Sequence, residues 1–173
     1  MKALKLSALA LILAGSSTAW ADPVNFSGAV STITCNTTVS QNGSAVPASA
    51  ISLGTVAPSA TGSVVAFSIT PDTTNAGCQG LTATNTATTT WSGSFGPTGL
   101  TASASSAASD ANIDIKTANA KTTAVSAVTS SSLVKDVAGD VFKTDGAKYT
   151  AALKGGTKTG ALTATAIYTM SYQ

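Results

Sequence analysis

The sequence predicts an all-β protein with a single domain, and three observations support this. Polar and apolar residues alternate along several segments, whereas no segment keeps helical spacing beyond one or two turns. Ala, Ser and Thr make up 84 of the 173 residues, and the Thr-rich runs favour strands. Clusters rich in Gly, Asn, Asp and Pro separate the alternating segments and indicate turns.

The first 21 residues have the pattern of a secretory signal peptide. Lys2 and Lys5 precede an apolar run over 6–14, and Ala19-Trp20-Ala21 forms a small-x-small cleavage site. The run is too short to cross a bilayer, which takes about 20 residues. We therefore predict that the mature chain begins at Asp22; its 152 residues suit one domain.

The mature chain is predicted to be electrically neutral. It keeps 7 Lys and 7 Asp, and Arg, Glu and His are absent from the sequence. Nucleic acid is excluded as a partner, because binding it needs a basic surface that releases phosphate counterions. A neutral surface is not kept monomeric by self-repulsion, which favours a protein that assembles.

The composition also argues against an enzyme. Without His there is no general acid or base suited to neutral pH, and neither Ser-His-Asp nor Cys-His catalysis is available. Paired carboxylates at Asp110 and Asp114 are the remaining enzymatic interpretation, but both adjoin a Ser/Ala loop with no pocket signature. No metal or other cofactor is expected, since two thiols without His do not form a zinc site.

Cys35 and Cys78 are the two cysteines of this secreted chain, so one intramolecular pairing is available. We expect a structural disulfide. The alternatives are an intermolecular bridge or free thiols. In the chain-entropy model, the intramolecular bridge would stabilise the fold by about 4 kcal/mol.

The predicted elements follow the alternation in chain order. Strands are expected at 51–53, 65–69, 83–91, 113–115 and 149–153. Turns are expected at 41–44, 72–77, 93–99 and 144–146. The Ser/Ala-rich segment 101–111 is interpreted as a long surface loop, and 122–141 has no clear pattern.

The last fourteen residues, 160–173, predict an unusually long strand of about 45 Å. One face would carry alternate residues after Gly160, namely Leu162, Ala164, Ala166, Tyr168, Met170 and Tyr172. A long apolar strand at a terminus invites aggregation unless another strand pairs with it. The alternative is an ordinary last strand paired within the chain.

The start of the mature chain predicts a second short strand. Its shared face carries Val24, Phe26, Gly28 and Val30. A glycine inside a strand usually marks the close approach of another backbone. The alternative is a frayed terminus.

In combination, these features resemble the pilin subunits of chaperone-usher fimbriae. The matching residues are Val24-x-Phe26-x-Gly28-x-Val30 before Cys35, Ile51-x-Leu53-Gly54, Phe67-x-Ile69 before Cys78, Gly160 fourteenth from the end, and the penultimate Tyr172. The stretch 88–93, which ends Trp91-Ser92-Gly93, further resembles major subunits of enterotoxigenic fimbriae related to type 1.

The resemblance implies an incomplete immunoglobulin-like sandwich, the pilin fold, which lacks its last strand and is completed by donor-strand exchange. Residues 22–31 would be the donor extension and 32–173 the pilin domain, with 160–173 as acceptor. The implied partners are identical or related pilin subunits bound head to tail, a periplasmic chaperone and an outer-membrane usher. The subunit would pass through the periplasm to a fimbria on the cell surface.

The leading functional hypothesis is a structural subunit of the fimbrial shaft that supports adhesion. The alternative is a fimbrial subunit that is itself a glycan-binding adhesin. Trp91 would then stack on a sugar rather than pack in the core. Lys135 and Lys143 would meet an acidic host glycan rather than serve as exposed, solvating charges.

Overall fold

A computed structural model describes residues 34–173, which form two antiparallel β-sheets packed face to face. The strands are β1 Thr37–Gln41, β2 Ser44–Ala45, β3 Val65–Pro71, β4 Thr86–Gly93, β5 Phe95–Gly96, β6 Gly99–Thr101, β7 Asn112–Thr117, β8 Val134–Ala138, β9 Ala147–Lys154 and β10 Ala166–Tyr172. Two short helices, α1 Ala76–Gln79 and α2 Gly139–Asp145, and a 3₁₀ turn at Pro47–Ser49 complete the described elements.

The larger sheet has the strand order β2-β1-β3-β9-β7-β6-β5, and the smaller sheet has the order β10-β4-β8. Their inward side chains make one core. An aromatic group lies at its centre, where Tyr149 stacks on Phe67 at 5.3 Å and meets Trp91 edge-on at 5.3 Å. The all-β prediction is confirmed.

Period-two patterns located the central strands well. In β3 the predicted inward residues Phe67 and Ile69 are buried, and in β7 Ile113 and Ile115 are buried. The strand predicted from residue 83 begins three residues later, at Thr86. The reason is a local turn in which Asn85 accepts a hydrogen bond from Thr82 N–H at 2.9 Å.

Both helices were absent from the sequence prediction. Helix α2 runs for seven residues and is anchored by Phe142, which is fully buried. It ends at Gly146, whose φ of +73° favours glycine and whose N–H donates to Phe142 O at 2.9 Å. A helix this short shows too few apolar repeats for its period to be recognised. No helix among the described residues is long and apolar enough to span a bilayer.

Cys35 and Cys78 form the predicted disulfide, with a Cα–Cα distance of 4.7 Å. The bridge joins the segment that enters β1 to helix α1, and Cys78 is fully buried. The chains approach closely beside it, since a Cβ at Gly77 would overlap the carbonyl oxygen of Thr34. The disulfide therefore fixes the start of the larger sheet beside the end of β3.

Candidate functional site

The last strand, β10, is paired on one side only. It runs antiparallel to β4 from Ala166 opposite Gly93 to Tyr172 opposite Ala87, and its other edge has no strand partner among residues 34–173. Trp91 N–H donates at 3.0 Å to Leu133 O, on the side of β4 away from β10. Trp91 therefore does not bond to Tyr168, the residue of β10 that lies opposite it. Because hydrogen-bonded and non-bonded pairs alternate along an antiparallel ladder, the odd-numbered residues of β10 are the ones that bond to β4. The backbone groups of the even-numbered residues therefore face the open edge.

Side-chain burial alternates in phase with that backbone pattern. From Ala161 to Met170 every odd-numbered residue is exposed and every even-numbered residue is half-buried. The half-buried residues Leu162, Ala164, Ala166, Tyr168 and Met170 all pack against the core. The shared face predicted from the sequence is present, and it is only partly covered.

The strand itself is shorter than predicted. Only Ala166–Tyr172 is regular β-strand, because β4 ends at Gly93 and residues 160–165 have no ladder partner in the described part of the chain. The segment 161–163 bonds instead to the Ser/Ala loop, which we define as residues 102–110. Ser103 N–H donates to Thr163 O at 2.8 Å and Ala108 N–H donates to Ala161 O at 3.3 Å.

A groove of about 1130 Å³ lies beside the open edge of this C-terminal segment. We call it the edge groove. One wall is residues 158–166 with Tyr168, and the opposite wall is residues 50–58, with Ser49 at its start. The floor is made of core side chains, namely Val39, Phe67, Trp91, Leu100, Ile113 and Ile115. The groove is therefore an elongated apolar channel between two chain segments that do not pair with each other.

Residues 50–58 form a wall without being a regular strand. Ile51 and Leu53 are half-buried against the core, as their alternation predicted. The side chain of Gln41 holds the segment in place. Its amide donates to Ser52 O at 3.1 Å, and its carbonyl accepts from Ser52 N–H at 3.3 Å. Gln41 thus imitates the paired bonds of a strand, a role that the sequence did not reveal.

Three of the predicted acceptor residues occupy special positions. Gly160 has a φ of +123°, and a Cβ there would lie 2.5 Å from the Cβ of Ala107, so glycine is required. Met170 and Tyr172 lie beyond the end of the groove lining. The sulfur of Met170 accepts a hydrogen bond from the Thr89 hydroxyl at 3.2 Å.

Tyr172 anchors the strand end in the core. Its hydroxyl donates to the carbonyl oxygen of Cys35 at 3.0 Å, and its ring centroid lies 5.7 Å from that of Phe142. Burial, with a smaller contribution from Tyr168, raises the pKa of Tyr172 to about 12.

Two of the three side chains considered for glycan binding, those of Trp91 and Lys135, are buried. Trp91 is 6% exposed and packs in the aromatic core, which confirms the core interpretation. Lys135 is 5% exposed, so the expectation of a surface lysine was wrong. Its Nζ donates to Ser126 Oγ at 2.8 Å and Ser132 Oγ at 2.6 Å, and burial lowers its pKa. Lys143 Nζ donates to Gln79 O at 3.4 Å.

Asp110 and Asp114 each have partners of their own. The carboxylate of Asp114 is bonded by Lys116 at 2.8 Å and lies 3.4 Å from Lys154 Nζ. Partial burial acts to raise the pKa of Asp114, but the hydrogen bonds and charges of the two lysines outweigh it and lower the pKa. Asp110 is held by the backbone and hydroxyl of Thr157. The two carboxylates are thus held by separate sets of partners.

The predicted donor residues Val24, Phe26, Gly28 and Val30 lie outside the described residues. So do the signal peptide and the boundary at 31/32.

The fold and the site thus define a β-sandwich with an open, strand-sized groove. No family model matches the chain. The chain is 39% identical over 160 residues to the F107 fimbrial protein of Escherichia coli, a match covering 92% of this chain and 91% of that protein. The fold is also similar to the crystal structure of the P pilus rod subunit PapA. This match covers 88% of this chain and 99% of the PapA chain at 17% sequence identity, with a TM-score of 0.48.

On the strength of the F107 relative, the chain belongs to the family of fimbrial subunits. It is a structural subunit that assembles with other subunits in a surface fimbria, and it is not an enzyme. The resemblance stated from the sequence motifs is confirmed at the level of the family.

Proposed function

We propose that the edge groove is the site of polymerisation and that it receives residues 22–31 of a second copy as an extended strand. The observation that carries the proposal is the edge of β10 that has no strand partner among residues 34–173 and faces residues 50–58 across an apolar floor. An extended segment between the two walls would cover the half-buried face of 162–170 and complete the smaller sheet.

The backbone of the acceptor segment supplies the affinity. Its even-numbered residues present N–H and C=O groups toward the groove, and an inserted strand would pair with them. The alternating donor side chains Val24, Phe26 and Val30 would then point to the floor and set the register. Burial of each large apolar side chain contributes about 1.5–3 kcal/mol.

The direction of assembly follows from the chemistry of the two ends. A donor at the N-terminus and an acceptor at the C-terminus make a heterologous contact, which does not close on itself and produces a fibre. The mature chain contains 7 Lys and 7 Asp, so charge repulsion does not oppose addition of the next copy.

The open groove also explains why assembly factors are needed. A strand edge that has no partner among the described residues, next to the half-buried apolar face of 162–170, would aggregate when the subunit is free. We propose that a periplasmic chaperone protects the edge by lending a strand against 160–173, and that an outer-membrane usher presents the subunit for exchange. The signal peptide of residues 1–21 delivers the chain to that compartment.

The test uses the mature chain, unfolded and then refolded with an excess of a peptide spanning 22–31. The peptide should occupy the groove, raise the melting temperature and stop polymerisation, so that sedimentation shows monomers and electron microscopy shows no fibres. The same peptide carrying Gly28→Asn is the matched control and should be inert. Equal behaviour of the two peptides, or fibres at saturating peptide, would reject residues 22–31 as the donor.

A further inference from the structure

We propose that the Ser/Ala loop, residues 102–110, shapes one end of the edge groove and that Asp110 is the positioning residue that fixes it. The inference rests on the proposed function of the groove and extends it to a segment of low sequence complexity. It assigns a role to residues that form no strand and lie outside the core motifs.

The Ser/Ala loop supplies hydrogen-bond partners to the acceptor segment beyond the end of β4. The ladder between β4 and β10 ends at Gly93 opposite Ala166. The segment 161–163, which precedes β10, still makes backbone hydrogen bonds on the edge that β10 turns toward β4, but its partners there are residues of the Ser/Ala loop. The hydroxyl of Ser106 accepts from Thr163 N–H at 3.0 Å and lies 3.0 Å from Thr163 O. Together with the hydrogen bonds from Ser103 and Ala108, these contacts of Ser106 leave the side chains of Leu162 and Ala164 facing the groove.

The small side chains of the loop permit this close approach. Ala107 contacts Gly160, where even a Cβ on the glycine would lie 2.5 Å from the Cβ of Ala107. Ala108 is 7% exposed and lines the groove. Larger residues here would push the acceptor segment outward, which gives a physical reason for the Ser/Ala composition.

Asp110 fastens the loop to the turn that leads into the acceptor segment. Its carboxylate accepts from Thr157 N–H at 2.8 Å, from the Thr157 hydroxyl at 2.7 Å and from Lys158 N–H at 3.2 Å. Lys158 Nζ adds a bond to Ser109 Oγ at 2.9 Å. A Cβ on Gly156 would overlap the carboxylate of Asp110, so the turn fits closely around it.

The ionised form of Asp110 is favoured by this arrangement. The hydrogen bond from the Thr157 hydroxyl has the largest effect and lowers the pKa of Asp110. Burial acts in the opposite direction, and the backbone N–H groups of Thr157 and Lys158 each lower the pKa by a smaller amount. Lys158 and Gly160 both line the groove. The position of Asp110 therefore sets the width of the groove at this end.

The experiment compares mature wild-type chain with Asp110→Asn, using fluorescent peptides spanning 22–31, 25–31 and 22–28. Asparagine presents an amide group where one carboxylate oxygen accepts bonds. We expect affinity for the full peptide to fall about fivefold. One of the two shortened peptides should lose affinity by the same factor, and the other, which does not reach this end of the groove, should bind both chains equally.

Asp72→Asn is the matched control. Asp72 accepts the same pair of bonds, from Thr74 N–H at 3.0 Å and the Thr74 hydroxyl at 2.6 Å, but it does not line the groove. Gly156→Ala is a second way to displace the Asp110 carboxylate. It should reproduce the loss of affinity for the full peptide and for only one of the shortened peptides that we expect of Asp110→Asn. In an Asp110→Ala background, Gly156→Ala should add little, because the two changes act on one contact.

Three results would overturn the inference. They are unchanged binding of all peptides to Asp110→Asn, an equal loss for both shortened peptides, and the same loss in Asp72→Asn. Failure of the wild-type chain to bind the full peptide would instead reject the proposed function, and this inference with it.

Discussion

The hydroxyl of Tyr172 donates a hydrogen bond of 3.0 Å to the carbonyl oxygen of Cys35, so the end of the last strand is tied to the disulfide at the start of the first. The two residues are 137 positions apart. The bond fixes one end of β10 from within the fold. It leaves the groove open only along the part of the chain that precedes Met170.

Tyr172→Phe removes that bond and leaves the ring in place. We expect stability at pH 7 to fall by about 1 kcal/mol, because the part-buried carbonyl of Cys35 loses its donor. The measurement is urea denaturation of the refolded mature chain.

The pH dependence of stability distinguishes the contribution of the Tyr172 hydroxyl, which titrates, from that of its ring, which does not. Because the folded pKa of Tyr172, about 12, lies above its usual value of 10.0, the unfolded chain loses this proton first as pH rises. Wild type should therefore lose stability between pH 10 and 12, and Tyr172→Phe should lose less over the same range. Identical slopes for the two chains would contradict this assignment.

Replacing both Cys35 and Cys78 with alanine opens the loop that the disulfide closes. The chain-entropy model predicts a loss of about 4 kcal/mol, which is a large part of the stability of a typical domain. Thermal unfolding followed by circular dichroism measures it. The control is wild type incubated with reductant under native conditions. Its disulfide should be reduced slowly, because Cys78 is fully buried, so that the chain unfolds only after long incubation. A melting temperature within a few degrees of wild type would show that the bridge is dispensable.

Gly28→Asn should abolish or greatly slow fibre assembly while the chaperone–subunit complex still forms. A larger residue forced against a packed floor costs about 1–3 kcal/mol and blocks stepwise insertion. Gly43→Asn is the matched control, since Gly43 has a φ of +81° in an open hairpin turn where asparagine is tolerated. Electron microscopy scores surface fibres, and co-purification scores the complex. Normal fibres from Gly28→Asn would place the donor in another register.

Lys135→Met should maintain or raise stability at pH 7. The Nζ of Lys135 is bonded to two serine hydroxyls, and no described carboxylate is ion-paired with it. Removing a buried charge with weak compensation is neutral or favourable, on the order of 1 kcal/mol. Urea midpoints measure the change, with Lys121→Met at an exposed site as control.

The pH profile of the same pair gives a second check. Burial lowers the folded pKa of Lys135, so the unfolded chain binds more protons at alkaline pH and the stability of wild type should rise toward pH 10. Lys135→Met should lack that rise. A clear loss of stability in Lys135→Met at pH 7 would show that the serine bonds outweigh the burial of the charge.

Local alternation was enough to predict much of this protein. Phe67, Ile69, Ile113 and Ile115 lie inward as their spacing required, because a β-strand sends successive side chains to opposite faces whatever it packs against. The shared face of 162–172 follows from the same rule. The pairing of Cys35 with Cys78 followed from export and from there being no other partner.

The tertiary structure decided what depends on distant partners. The last strand is regular only over Ala166–Tyr172, because its neighbour β4 ends at Gly93, a limit set elsewhere in the chain. Lys135 is buried because β8 pairs with β4, and its own segment gave no sign of that pairing. Gln41 and Asp110 act through bonds to residues 11 and 47 or more positions away. Side-chain bonds of this kind have no period, so only the folded chain reveals them.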